Sequence, residues 1–225
     1  MSNGVTVGDE LPGMEAMLQR LMERENNPTP EMLARRAEYE RDERERKEEK
    51  ARMALDSALR DSQAPARSAR IVLSGEAKET RAMAAVRSFM ASGGSSLVLA
   101  GGKGCGKSTA AVWAIAHLLD GHFRYAGELA GLSRDDDERR KITRSRLLVI
   151  DDLGVEYLDD KGWFAAFFDE VIVRRHDNEL KTIITTNLPR AKFQGRYRSE
   201  RVLDRLATGM FIEIHDGSMR GEAAK

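Results

Sequence analysis

The segment GGKGCGKST, Gly101 to Thr109, lies between a short apolar run, SSLVLA, and an apolar helical pattern, STAAVWAIAHLL. Gly101 to Ser108 matches G-x-x-x-x-G-K-[ST] in full and in the strand–turn–helix setting that the motif's mechanism requires. Glycines let successive backbone N–H groups turn inward around a phosphate, and the N-terminus of the following helix adds its positive end. The candidate cradle is therefore Gly101, Gly102, Lys103, Gly104, Cys105, Gly106, Lys107, Ser108 and Thr109. Lys107 would reach the β and γ phosphates of a nucleotide, and Ser108 would hold Mg²⁺. Cys105 reads as a small loop filler, or as a thiol activated by the helix N-terminus.

LLVIDDLG supplies a second apolar strand with carboxylates at its C-terminal end. Asp151 is placed to hold Mg²⁺, and Asp152 to orient an attacking water. Many ATPases carry Glu at the second position, and Asp reaches one methylene less. TIITTN gives a third strand. If it lies beside LLVIDD, Asn187 is brought near the γ-phosphate; alone, an Asn after a strand is usually a turn residue. MFIEI is a further strand, and WFAAFFDEVIVRR an amphipathic helix between two of them. Strands alternating with helices point to an α/β fold with a parallel sheet.

The 225-residue chain suits one globular domain plus a polar extension. Lys+Arg and Asp+Glu both number 37, so net charge does not by itself predict a nucleic-acid partner, and any such contact must come from a local patch. One such patch is Arg190, Lys192, Arg196 and Arg198, interleaved with Phe193 and Tyr197, able to neutralise phosphates and stack bases, or else to form a subunit interface. With one cysteine and four histidines, no internal disulfide and no structural zinc are expected. The absence of a long apolar run argues against a membrane span, and a reducing cytoplasm is the expected location.

The first part is different in kind. Met14, Met17, Leu18, Leu21 and Met22 recur at helical spacing, NNPTP breaks the pattern, and Thr29 with Pro30 opens a new helix. Its middle, RRAEYERDERERKEEKAR, is charged nearly all round and suits i,i+4 ion pairs in solvent. Apolar residues stand only at the ends, Met32 and Leu33 at one and Met53, Leu55 and Leu59 at the other. This reads either as a solvated charged segment or as a docking arm with a Met-rich tip, through which copies could also self-associate. The expected division is a helical, partner-binding arm over residues 1–61 and an ATPase domain over residues 62–225.

The strings LVLAGGKGCGKSTAA, FRYAGEL, LLVIDDLG, FFDEVIVRRHDNELKTIITTNLP, SERVLDRL and IEIHDGSMR follow one another between Ser62 and Arg220. As an ordered set they resemble the AAA+ ATPases, in the branch of DnaC/DnaI-type replicative helicase loaders and IstB-like transposition ATPases. The resemblance implies a five-stranded parallel sheet of order 5-1-4-3-2 with no C-terminal lid. It also implies that Arg205 is an arginine finger acting in trans, with Arg201 its neighbour, and that Arg220 is a second nucleotide-sensing arginine. On its own helix, Arg205 shares a face with Arg201 and Arg198, while Val202, Leu203 and Leu206 form an adjoining apolar face.

The function implied is an ATPase that uses ATP and Mg²⁺, assembles with copies of itself, grips a DnaB-type helicase hexamer through its arm and delivers it to single-stranded DNA. Two alternatives share the core. One is an IstB-like transposition helper assembling on duplex DNA, and the other a nucleotide-gated adaptor with little hydrolysis, which Asp152 in place of Glu leaves open.

Overall fold

The computed structural model describes Met17, residues 28–129, Gly131, and residues 136–155, 163–197, 199–215 and 217. The chain divides into two compact units, residues 1–51 and 52–225. Helix α1, Pro30–Asp61, begins where the sequence predicts: the Thr29 hydroxyl accepts the Met32 N–H at 3.3 Å, and Pro30 occupies the first position. In the first unit every described side chain is exposed, and α1 carries i,i+4 ion pairs Arg36–Glu40 and Glu43–Lys47. The stretch from Met14 to Met22, apart from Met17, lies outside the described residues.

The second unit begins with the last turns of α1 and continues through α2 (Ala66–Leu73), α3 (Arg81–Ala91), β1 (Ser96–Gly101), α4 (Lys107–Leu118), β2 (His122–Tyr125), α5 (Ala126–Leu129) and α6 (Asp136–Arg144). It ends with β3 (Leu147–Leu153), α7 (Trp163–Asp177), β4 (Lys181–Thr186), α8 (Arg190–Arg196), α9 (Glu200–Ala207) and β5 (Met210–Ile214). The strands form one parallel sheet, β2-β3-β4-β1-β5, which is the order 5-1-4-3-2 read from the other edge.

The middle of the sheet is covered on both faces, so β1, β3 and β4 read as largely continuous buried runs rather than alternating ones. Leu97, Leu99, Leu147, Val149 and Ile183 face a core shared with α3, α4 and Leu59 of α1. Val98, Leu148, Ile150 and Ile184 face the opposite core, with Phe164, Phe167, Phe168, Val171 and Ile172 of α7. Those five lie at i, i+3, i+4, i+7 and i+8, one stripe of a helix. Val202 and Leu206 of α9 are buried in the same core, as the apolar face of that helix predicts.

The lower edge of the sheet, where β3 and β4 begin, is held by a charged residue that sequence reading passed over. Arg175 of α7 is fully buried. Its guanidinium donates to the carbonyls of Ile142, Ser145 and Lys181 and to the hydroxyls of Thr182 and Ser145, at 2.6 to 3.3 Å. Burial pulls its pKa down to about 9, so it keeps its charge at neutral pH, spread over acceptors from α6, the turn into β3 and β4. Arg175→Leu leaves those acceptors unpaired, so it is expected to destabilise the fold by on the order of 3 kcal/mol, read as a lower urea midpoint at unchanged slope.

Candidate nucleotide-binding site

The glycine-rich loop leaves β1 at Gly101 and enters α4 at Lys107. Gly106 (φ 89°) and Gly104 (φ 82°) have left-handed backbone, which glycine adopts at no steric cost. At Gly101 the constraint is space: a Cβ would stand 2.6 Å from the Ile214 carbonyl oxygen of β5. Gly102 has open space around it, and Lys103 reaches the cavity described below. Cys105 is buried, and its thiol donates to the Gly102 carbonyl at 3.1 Å, the geometry of a loop filler.

Lys107 is buried, and its ammonium donates to the carbonyls of Gly101 and Gly102, each at 2.8 Å, and to Asn187 Oδ1 at 3.1 Å. Asn187 follows β4, the strand between β1 and β3, so the adjacency on which its reading depended is present. Its amide donates in turn to Asp152 Oδ1 at 3.3 Å. Ser108 Oγ donates to Asp151 Oδ1 at 2.8 Å. Lys107, Ser108, Asp151, Asp152 and Asn187 thus stand together at the C-terminal edge of the sheet, joined by hydrogen bonds across three strands.

Asp151 is 3 % exposed. Burial pushes its carboxyl pKa up, hydrogen bonds from Thr185 and Ser108 pull it back, Asp152 raises it and Lys107 lowers it. Thr185 is the partner that sequence reading missed. Its hydroxyl donates to Asp151 Oδ1 at 2.6 Å and accepts the Asp152 N–H at 3.0 Å. The signal was present as the tandem threonines of TIITTN, polar side chains where the strand's apolar run stops.

A cavity of about 420 Å³ opens from this cluster. Lys103, Gly104, Gly106, Lys107, Ser108, Thr109, Asp152 and Asn187 line one part, and Arg67, Ser68, Ile71, Glu76, Lys78, Thr80 and Met83 the rest. The second set comes from α2, α3 and the turn between them, segments the motif reading left unassigned.

Arg201 and Arg205 stand elsewhere. Both are on α9, which leads into β5 at Met210, paired with Leu97 near the start of β1 and so at the opposite end of the strand from the loop. Arg201 is exposed. Arg205 is half-buried, donates to the Arg201 carbonyl at 3.2 Å and places Nε 3.6 Å from Asp177 Oδ1, an ion-pair distance without a hydrogen bond. Arg198 and Arg220 lie outside the described residues.

The basic stretch of α8 requires a correction. Phe193 and Tyr197 are buried at 1 % and 6 %, packed on each other and on Phe168 and Phe211, and are not free to stack bases. Spaced i,i+4, both turn to the core, Phe193 from within α8 and Tyr197 from its C-cap. Arg190 and Lys192 remain exposed, with the Arg190 guanidinium over the Phe211 ring.

No family model matches this chain, and no curated protein does. Among solved structures, the chain is similar to DnaI at a TM-score of 0.53 and 20 % identity, over 62 % of this chain and 83 % of that one. It is similar to the DnaC helicase loader at 0.48 and 26 %, over 60 % and 88 %. AMPPCP-bound DnaA from Aquifex aeolicus gives 0.48 and 20 %, over 57 % and 44 %. The likeness to DnaI, together with the sheet order and the loop after β1, defines the fold as the AAA+ α/β core.

Proposed function

We propose that the chain is an ATP-dependent loader of a replicative DNA helicase. The observation that carries the ATPase part is the hydrogen-bonded set Lys107–Asn187–Asp152 beside Ser108–Asp151, at the end of the sheet where α/β proteins bind ligands. ATP would lie with its phosphates on the loop and its nucleoside along the cavity toward Ile71 and Met83.

The Ser108 hydroxyl and the Asp151 carboxylate, 2.8 Å apart, are hard oxygen donors of the kind that suits Mg²⁺. Mg²⁺ held there would supply positive charge against the phosphates of the nucleotide. Lys107 would exchange its loop carbonyls for phosphate oxygens. Asp152 would accept a hydrogen bond from the attacking water and orient it, with Asn187 holding that carboxylate in place. Arg205, remote from its own Lys107, suits a finger offered to the site of a neighbouring copy, and hydrolysis would follow assembly.

The loader reading rests on the ordered motifs from LVLAGGKGCGKSTAA to IEIHDGSMR and on the charged helix, which exposes Met32 and Leu33 at its start. Those side chains supply apolar contacts for a helicase surface, and residues 1–61 act as the docking arm of a 62–225 ATPase domain. ATP turnover by the full chain, measured alone, with single-stranded DNA and with duplex DNA, tests the reading. Hydrolysis enhanced by single-stranded DNA is expected. Enhancement by duplex DNA alone, with large assemblies on it, points to a transposition helper, and ATP binding with background turnover in all three points to a nucleotide-gated adaptor.

A further inference from the structure

The two acids at the end of β3 sit on a fault in the sheet. Ile150 pairs with Ile184, but the next pair is Leu153 with Thr186, so β3 takes three steps while β4 takes two. Asp151 and Asp152 together oppose the single residue Thr185, which is the arrangement of a β-bulge. Burial records the same shift. Leu148, Ile150 and Leu153 all face one core, although strict alternation would send Leu153 to the other face.

The bulge leaves Asp152 at φ 56°, in the left-handed region. Asp tolerates that conformation better than Glu does, because its short side chain bonds locally. A non-glycine residue persists there only when its surroundings hold it. The contact that holds it comes from a side chain: the Asp152 N–H donates to Thr185 Oγ1 at 3.0 Å. The same hydroxyl spends its one proton on Asp151 Oδ1 at 2.6 Å, and Thr185 is fully buried, so water does not replace either bond. Thr186 repeats the device one step on, donating to the Leu153 carbonyl at 2.5 Å and accepting the Leu188 N–H at 3.1 Å.

The geometry points to Thr185 as a positioning residue for both acids, fixing the Asp151 oxygen that Ser108 also contacts and the backbone turn that aims Asp152. A valine would fill the same space in the strand and satisfy packing equally well. The hydroxyl is required only if the acids must be held. The inference rests on the ATPase reading for its turnover readout and on geometry for the rest.

The test compares the full chain with Thr185→Val, which removes the hydroxyl at constant shape, and Thr185→Ser, which keeps it. Affinity for a fluorescent ATP analogue is measured in EDTA and in Mg²⁺, alongside ATP turnover and melting temperature. For Thr185→Val, affinity in EDTA stays at the wild-type value, while the gain conferred by Mg²⁺ and kcat each fall about 10- to 100-fold, the usual cost of losing a group that orients a metal ligand. Thr185→Ser restores both.

Wild-type Mg²⁺ dependence and kcat in a folded Thr185→Val protein overturn the inference, as does a Thr185→Ser protein impaired like Thr185→Val. If Thr185→Val does not fold, Thr185→Ser decides: retained Mg²⁺ dependence supports the role and its loss overturns it. Absence of turnover in wild type with Mg²⁺-dependent binding intact defeats the ATPase reading alone, and the binding comparison still decides Thr185. Absence of Mg²⁺-dependent nucleotide binding in wild type defeats both.

Discussion

Arg205→Ala is expected to lower ATP turnover about 10³- to 10⁵-fold under conditions where the chain assembles, the scale on which an arginine finger acts. ATP affinity of the isolated chain should not change, because α9 leads into the end of the sheet opposite the Lys107 loop. Arg205→Lys should remain low, since an ammonium keeps the charge and loses the planar fork. Among the described residues the Arg205 side chain makes an ion-pair approach to Asp177 and a bond to the Arg201 carbonyl, so the melting temperature should move little. Mixing supplies the sharper readout. On the proposed roles, a Lys107→Ala copy would keep the finger and lack a working site, and an Arg205→Ala copy would keep the site and lack the finger. Together they should recover part of the turnover that each lacks. Wild-type turnover in Arg205→Ala alone would show that the finger lies elsewhere.

Asp151→Asn should lower kcat about 10²- to 10³-fold, comparable to removing one group that stabilises developing charge in a dry site. Asparagine has the same shape, and its Oδ1 can still accept from Ser108 and Thr185. What disappears is the negative charge that Mg²⁺ requires. Nucleotide binding in EDTA should therefore survive while its Mg²⁺ dependence is lost. Stability should move the other way. Burial is the largest influence on this carboxyl and disfavours its charged form, so removing the charge relieves a desolvation cost in the metal-free protein. Asp151→Asn is expected to melt above wild type in EDTA, with the difference shrinking when Mg²⁺ and ATP are added. A variant that melts lower and keeps its Mg²⁺ dependence would remove Asp151 from the metal site.

The sequence was most legible where burial is two-sided. SSLVLA, LLVIDD and KTIITT declare strands by their apolar runs and fall on Ser96–Gly101, Leu147–Leu153 and Lys181–Thr186, while MFIEI, Met210–Ile214, is mostly half-buried at the sheet edge and is legible from its apolar content alone. β2 gave no such pattern. It is four residues long, and its Arg124 is buried through bonds to Glu138 and to the Phe123 carbonyl, so only the family resemblance marked the segment. Helix α1 was legible from its cap, since Thr29–Pro30 is a local signal that needs no tertiary context. Phe193 and Tyr197 misled because composition alone cannot separate a base-stacking platform from a core stripe, although their i,i+4 spacing favours the stripe.

The candidate site divides in the same way. Lys107, Ser108, Asp151 and Asn187 follow from motif and strand order, which are properties of local sequence and simple topology. Thr185 and the bulge do not, because a bulge depends on the register between two strands and sequence carries register only weakly. The reason this chain accommodates Asp at 152 became visible only with the left-handed backbone at that residue. Arg175 was hidden for a related cause: its acceptors are carbonyls gathered from separate segments, and no pattern in RRHD announces them.

Light scattering on the full chain mixed with the replicative helicase hexamer of its own cell, with and without ATP, is the decisive test of helicase loading, with a chain lacking residues 1–60 as control. A complex heavier than either component is expected, stable with ATP and lost when residues 1–60 are removed. A helicase peak unchanged by the full chain in ATP, with the chain assembling on duplex DNA instead, would contradict it.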